Sequence, residues 1–259
     1  MVEVITSLQN QYVKLANQLQ NRARARRKEG KIVLEGTRLI GDALAQLITP
    51  EYVFYQPTQV DYELIAQLQN TRATLYEVTD EIMQHVSDTQ NPQGIVAVFR
   101  LPRPSLPPEP QRVLILDAVQ DPGNMGTILR TAGAAGVQVV ILAPGCVDPY
   151  NPKVLRSGMG AHFRLPVIEA DWANIRGYCD DLATYLARGD AETRYSDVDW
   201  TQAWALVISN EAHGGSQDAE RFAEQGVSIP MANAESLNAA IATGVLLFEA
   251  QRQWLTQST

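Results

Sequence analysis

Residues 113–142 read VLILDAVQDPGNMGTILRTAGAAGVQVVIL. An apolar run, VLILDAV, ends in Gln120, Asp121, Pro122, Gly123 and Asn124. A helix rich in small residues is expected over about 125–135, and a second apolar run, VQVVILA, follows. A strand, loop, helix and strand of this length form one parallel crossover unit. The Asp-Pro-Gly-Asn sequence makes a sharp turn, and Asn124 is placed to cap the helix amides. Loops at the carboxyl ends of such strands are where open α/β sheets bind ligands. Arg130 is the charge that stands out on the helix. Asn124 and Arg130 have two readings here, a cap with a solvated charge or two groups of a binding site.

The chain has 259 residues, 45% of them hydrophobic, enough for one large or two ordinary domains. No apolar run approaches a membrane span, and no charged-then-apolar signal pattern opens the chain. Cys146 and Cys179 form neither a CxxC pair nor a disulfide framework, and His85, His162 and His213 lack metal-ligand spacing. The expectation is a soluble cytoplasmic protein with reduced thiols and no metal. The net charge of −8 argues against a generic nucleic-acid binder, but residues 1–50 carry +4 and the remainder −12. A local basic patch can dominate phosphate binding on an acidic molecule.

Working outward toward the N-terminus, residues 6–20 place Leu8, Tyr12, Leu15 and Leu19 at helical spacing. Arg22, Arg24, Arg26, Arg27 and Lys28 follow, with Arg38 beyond them. They read either as a solvated charge run or as a salt-sensitive, sequence-blind phosphate-contacting patch. Strands are expected at 31–35, 52–55, 74–78 and 94–99, alternating with helices, which describes a small α/β sandwich over 1–100. Residues 101–111, LPRPSLPPEPQ, hold five prolines and form a stiff linker. Residues 112–259 form the second domain.

Toward the C-terminus, 146–159 reads as loop, 163–167 as strand and 172–187 as amphipathic helix. The strand 205–209 delivers Asn210, Glu211, Ala212, His213 and Gly214 as a loop. Residues 227–231 are a strand that Pro230 removes from an ordinary ladder position. A last helix spans 235–255, with Leu237, Ile241, Val245 and Phe248 on one apolar face and Ala239, Ala240 and Ala242 permitting close packing.

Three strand ends therefore carry polar groups: Asn124 with Arg130, Asn210 with Glu211, and Ser236 with Asn238. A buried Glu211 needs donors, which Arg130 or backbone amides supply. Ser236 and Asn238 also read as simple helix caps. His213 reads as loop chemistry in preference to a general base. The chain has no GxGxxG after a strand, no GxxxxGK[ST] and no GxSxG, so dinucleotide, P-loop and hydrolase readings lose their support.

The stretches LDAVQDPGNMGTILRTAGAAGV, LVISNEAHGG and SIPMANAESLNAAIATGVLLFEAQRQ resemble the three ordered motifs of SpoU/TrmH-type RNA ribose 2′-O-methyltransferases, in the knotted α/β (SPOUT) class. The resemblance covers 112–259. KIVLEGTRLIGDAL and NPQGIVAV resemble the ribosomal-protein-like RNA-binding domain that often precedes this module. Asn210 stands where glycine is common, His213 sits inside the second motif, and the turn 232–234 is one residue short.

The resemblance implies a trefoil-knotted C-terminal domain, a homodimer with active sites at the subunit interface, and S-adenosylmethionine as cofactor. By motif position, Asn210, Gly214, Ile229, Met231 and Leu237 hold that cofactor. Arg130 activates the ribose hydroxyl, and Asn124, Glu211, Ser236 and Asn238 orient it. Two roles stay open for Arg130, a base or a cation positioning hydroxyl and phosphate, because free guanidinium is effectively always protonated. Arg22, Arg24, Arg26, Arg27, Lys28 and Arg38 contact RNA. Ribosomal RNA is the preferred substrate, with tRNA or a non-catalytic RNA-binding role as the alternatives.

Overall fold

The computed structural model of the chain describes residues 3–210, 214–233 and 236–257. It has two compact units: Met1–Arg103 with Tyr150–Phe163, and Pro104–Pro149 with Arg164–Thr259. Glu211 and His213 lie outside the described residues, as do 234 and 235.

The first unit begins with β1 (Glu3–Ile5), α1 (Gln11–Asn21), α2 (Ala23–Glu29), β2 (Lys31–Glu35) and α3 (Thr37–Ala45). It continues through β3 (Tyr52–Tyr55), α4 (Tyr62–Gln69), β4 (Thr74–Val78), α5 (Asp80–Val86) and β5 (Ile95–Arg100). The sheet order is β1-β4-β3-β5-β2, with β5 antiparallel to both neighbours. All four expected strands are present, and β1 is an addition that lies parallel to β4. Asn10 caps α1, its side chain accepting from the Tyr12 N–H at 2.8 Å. The helix buries Val13, Ala16 and Leu19 against one face of the sheet.

The basic run folds as α2, and its members part ways. Arg22, Arg24, Arg27 and Lys28 are exposed, as is Arg38 on α3. Arg26 is only 4% exposed. Its Nη1 donates to the carbonyls of Leu19 and Gln20, at 2.5 and 3.1 Å. These belong to the last turn of α1, where carbonyls lack helical partners. Arg26 is thus a structural clamp and no phosphate contact, which corrects its assignment to the basic patch.

The second unit contains β6 (Arg112–Asp117), α6 (Pro122–Ala134) and β7 (Val139–Leu142), the crossover expected from the opening stretch. Next in the chain is α7 (Pro152–Gly158), which belongs to the first unit. Leu155 joins the core there. The second unit resumes with β8 (Val167–Glu169), α8 (Trp172–Tyr178), β9 (Ala183–Ala187), β10 (Trp204–Ser209), α9 (Gln217–Phe222), β11 (Gln225–Val227) and α10 (Ala239–Gln257). Its sheet is parallel throughout, in the order β11-β9-β10-β6-β7-β8. From β6 the chain leaves through β7 on one side, and β10 lies on the other. Loops at the carboxyl ends of β6 and β10 therefore diverge and open a crevice.

Several local expectations change. The stretch 172–187 is a short helix and then a strand, because β9 pairs along its length with β10. Asp180 and Asp181 break the helix before it. The expected loop at 146–159 contains α7, capped by Asn151 with Pro152 in its first turn. The strand expected at 163–167 lies at 167–169, after a 3₁₀ turn at Ala161–Phe163. The ladder at 227–231 ends with Val227 and a single bridge at Ser228, before Pro230.

The last helix starts at Ala239, and its expected apolar face points outward. Ile241 is 57% and Phe248 49% exposed. The buried side is Ala239, Ala240, Thr243, Leu246, Leu247 and Ala250. Small residues let α10 approach α6 closely. A Cβ on Gly244 would sit 3.8 Å from the Thr131 methyl, and Gln251 donates to the Ala134 carbonyl at 3.3 Å. Arg112 stacks on the Trp254 ring at 4.4 Å and ties the far end of α10 to the start of β6.

The two kinds of arginine are separable by experiment. Arg26→Met is expected to lower stability by about 1–3 kcal/mol in urea unfolding, because it strands two carbonyls. Arg24→Gln with Arg27→Gln is expected to leave stability alone and flatten the salt dependence of RNA affinity by roughly 1.5 log–log units. An unchanged slope would mean that these two side chains are merely solvated.

Candidate functional site

The crossover helix starts three residues earlier than the turn sequence predicts. Its cap is Asp121, whose Oδ1 accepts from the Asn124 N–H at 2.7 Å, and Pro122 fills the first turn. Asn124 is thus relieved of capping, and its side chain is used elsewhere. Asn238 Nδ2 donates to Asn124 Oδ1 at 3.0 Å. Asn238 Oδ1 meanwhile accepts from the Ala240 and Ile241 N–H groups at 3.0 and 3.3 Å, so it caps α10 as well. One amide side chain performs both readings offered for it and joins the first motif to the third.

The end of β6 is tied to the second motif just as directly. Asp117, 2% exposed, accepts at one oxygen from the Ser216 N–H at 2.8 Å and the Ser209 hydroxyl at 3.2 Å. Asn210 Nδ2 donates to the Ala118 carbonyl at 3.2 Å, and Ala118 adopts a left-handed φ of 53° to present it. Asn210 and Gly214 close the loop by a bridge, the Gly214 N–H donating to the Asn210 carbonyl at 3.0 Å. Gly214 has φ +68°, a conformation that suits glycine. The close approach itself belongs to Gly215, where a Cβ would lie 3.0 Å from a Leu186 methyl.

A cavity of about 360 Å³ opens at the carboxyl ends of β9 and β10. Asn210, Gly214, Ile229, Met231 and Leu237, the five residues expected to hold a cofactor, all line it. Ser236 lines it too. Ile208, Val227 and Leu246 make its apolar wall, and the chain at Gly215 and at 229–231 lines it outside the strand ladders. This size and mixture suit a small molecule with one flat apolar end and several polar groups. S-adenosylmethionine fits that description, so the residues present fit the implied cofactor.

Arg130 is exposed on α6 and does not line the cavity. It is six residues beyond Asn124, about 9 Å along the helix and turned well away from the Asn238 contact. Glu211 lies outside the described residues, so four of the five expected catalytic groups have a place in the structure. The cysteines take no part. Cys146 donates to the Leu116 carbonyl, and burial pushes its thiol up to about 11 and that of Cys179 up to about 12.

Asp117, Arg188, Asp190 and Glu220 were not foreseen. Asp117 announced itself as a carboxylate ending an otherwise apolar strand. Arg188 and Asp190 were hidden because 172–187 read as one helix, which left the residues after it with no strand end to belong to.

The model of the SpoU rRNA Methylase family matches residues 111–248, and that of the MRM3-like substrate binding domain matches 10–97. The chain belongs to the SpoU rRNA methylase family. The mitochondrial rRNA methyltransferase 3A of Danio rerio is 39% identical over 92% of this chain and 67% of its own. The 23S rRNA (guanosine(2553)-2′-O)-methyltransferase RlmP of Bacillus subtilis (strain 168) is 33% identical over 94% of this chain and 97% of its own. The AdoMet-bound rRNA methyltransferase structure from Sinorhizobium meliloti superposes with a TM-score of 0.85, at 31% identity, over 97% of this chain and 98% of that one.

The tie between β6 and the second motif is testable. Asp117→Ala strands the buried Ser216 N–H and is expected to cost about 1–3 kcal/mol in urea unfolding. Asp117→Asn keeps an oxygen at that position and is expected to lose less.

Proposed function

We propose that this chain transfers a methyl group from S-adenosylmethionine to a ribose 2′-hydroxyl of ribosomal RNA. The observation that carries the reading is a convergence. The five residues expected to hold the cofactor line one cavity. At its edge the Asn238–Asn124 hydrogen bond brings in the helix that bears Arg130. Family membership supports the methyltransferase chemistry, and the names of the relatives support ribosomal RNA.

When bound, the cofactor supplies an electrophilic methyl on sulfur and departs as a neutral thioether, so the site needs no general acid. The protein's share is positional. Asn210 and the backbone of 214–215 and 229–231 hold the cofactor. Asn124, Ser236 and Asn238 orient the ribose, together with Glu211. Arg130, an exposed cation, positions the hydroxyl and the neighbouring phosphate as negative charge develops, and the hydroxyl proton passes to that phosphate as the methyl group arrives. The unit formed around residues 1–100 serves as the RNA-binding domain, with Arg22, Arg24, Arg27, Lys28 and Arg38 as its exposed cations. The proline-rich 101–111 acts as the linker.

A homodimer, a trefoil knot formed by the C-terminal segment, and a cytoplasmic location belong to the same reading. The dimer draws support from α10. Ile241, Val245, Phe248 and Leu255 recur every three to four residues or multiples of that spacing, and Ile241, Phe248 and Leu255 are 57%, 49% and 55% exposed. A second copy laid on this stripe buries it, and the exposed Arg130, absent from its own chain's cavity lining, is available to a site shared between the two.

Arg130→Ala is expected to leave S-adenosylmethionine binding within about twofold and to reduce methyl transfer by about 10²–10³-fold. Calorimetry and tritiated-methyl incorporation into rRNA measure the two, and full transfer by the variant would end the assignment. Phe248→Glu is expected to yield a monomer in light scattering, with transfer lost and the circular dichroism spectrum retained. A variant that stays dimeric would remove α10 from the interface.

A further inference from the structure

The cavity carries charge that lies outside the three motifs. Arg188, Asp190 and Glu220 are the charged side chains among its described lining residues. Arg188 follows β9 and grips Asp190 with two bonds, Nε to Oδ1 at 2.7 Å and Nη2 to Oδ2 at 2.9 Å. Its remaining arm, Nη1, donates to Glu220 Oε2 at 3.0 Å. Three N–H groups of the guanidinium are thereby occupied, and the trio carries a net charge of −1. At this point of the wall the excess negative charge favours hydrogen-bond donors over acceptors.

One acceptor stands ready. Glu220 Oε1 accepts no hydrogen bond from a described residue, and it lies 3.4 Å from the point a Cβ on Gly215 would occupy. The oxygen therefore projects over bare backbone on the cavity wall. It is braced from two directions. Arg188 holds the other oxygen, and the helix bearing Glu220 starts from Ser216, whose own N–H is fixed by Asp117. The Arg188 N–H donates to the Val227 carbonyl at 3.0 Å, which sets the trio against the apolar wall. That wall suits an adenine ring, and the group joined to adenine is a ribose with two hydroxyl donors. A carboxylate is the usual partner for ribose hydroxyls in nucleotide sites of open α/β sheets.

We propose that Glu220 is the acceptor for the ribose hydroxyls of the cofactor, with Arg188 as its positioning residue and Asp190 as the brace. The inference rests on the cofactor reading above and adds a specificity element to the same cavity.

Calorimetry with S-adenosylhomocysteine and its 2′,3′-dideoxyribose analogue tests it. Glu220→Gln is expected to bind S-adenosylhomocysteine about tenfold more weakly, the low end for a charge-assisted hydrogen bond at a half-exposed group. It is expected to bind the dideoxy analogue as the wild type does. Arg188→Met, which frees the Glu220 side chain, is expected to show the same selective loss. Unchanged binding of S-adenosylhomocysteine by Glu220→Gln, or an equal loss for both ligands, overturns the role of Glu220 while leaving the cofactor reading intact. A wild-type protein that binds neither ligand overturns both.

Discussion

A single buried carboxylate oxygen organises this molecule's active half. Asp117 ends a strand that lies between β10 and β7, so its charge has no access to water and must be satisfied by protein. The Ser216 N–H and the Ser209 hydroxyl do so. That requirement pulls the loop after β10 over the end of β6 and sets where α9 begins. Ala118, one residue on, holds a left-handed conformation costing roughly 1–3 kcal/mol and offers its carbonyl to Asn210. Strain in the first motif is thus offset by a hydrogen bond from the second. Both cavity walls then follow, the glycine backbone at 214–215 and the carboxylate of Glu220.

The last helix shows how one apolar sequence divides among different surroundings. Ala239, Ala242 and Leu246 line the cavity, and Gly244 admits the Thr131 methyl of α6. The inward side mixes small residues, Ala239, Ala240 and Ala250, with Leu246 and Leu247. Ile241, Phe248 and Leu255 are the large apolar side chains left facing outward among the described residues of the helix, with the Trp254 ring stacked under Arg112. The apolar face named from the sequence is therefore split, with Ile241 and Phe248 exposed, Val245 half-buried and Leu237 on the cavity wall.

Legibility followed the range of the interaction. The opening crossover, the four strands of the first sheet and the alternation of helix and strand were readable, because each rests on local periodicity and turn chemistry. The stretch 172–187 was misread because ATYLA fits a helix or a strand equally well, and only pairing with β10 decides between them. Asn124 read as a cap because it stands just before the expected helix, while Asp121 captured the helix start three residues earlier. Arg26 was indistinguishable from its neighbours in a run of basic residues until the last turn of α1 supplied two carbonyls for it.

The sequence by itself determined the class of protein, because three ordered motifs carry the family. It also named five of the residues that line the cavity, since motif position survives folding. Tertiary structure alone decided which polar groups meet. Asp117 bonds across 99 positions and Asn124 across 114. Contacts that distant leave no trace in local periodicity. They arise only once parallel strands have stacked their carboxyl ends side by side and left the polar groups there with one another as partners.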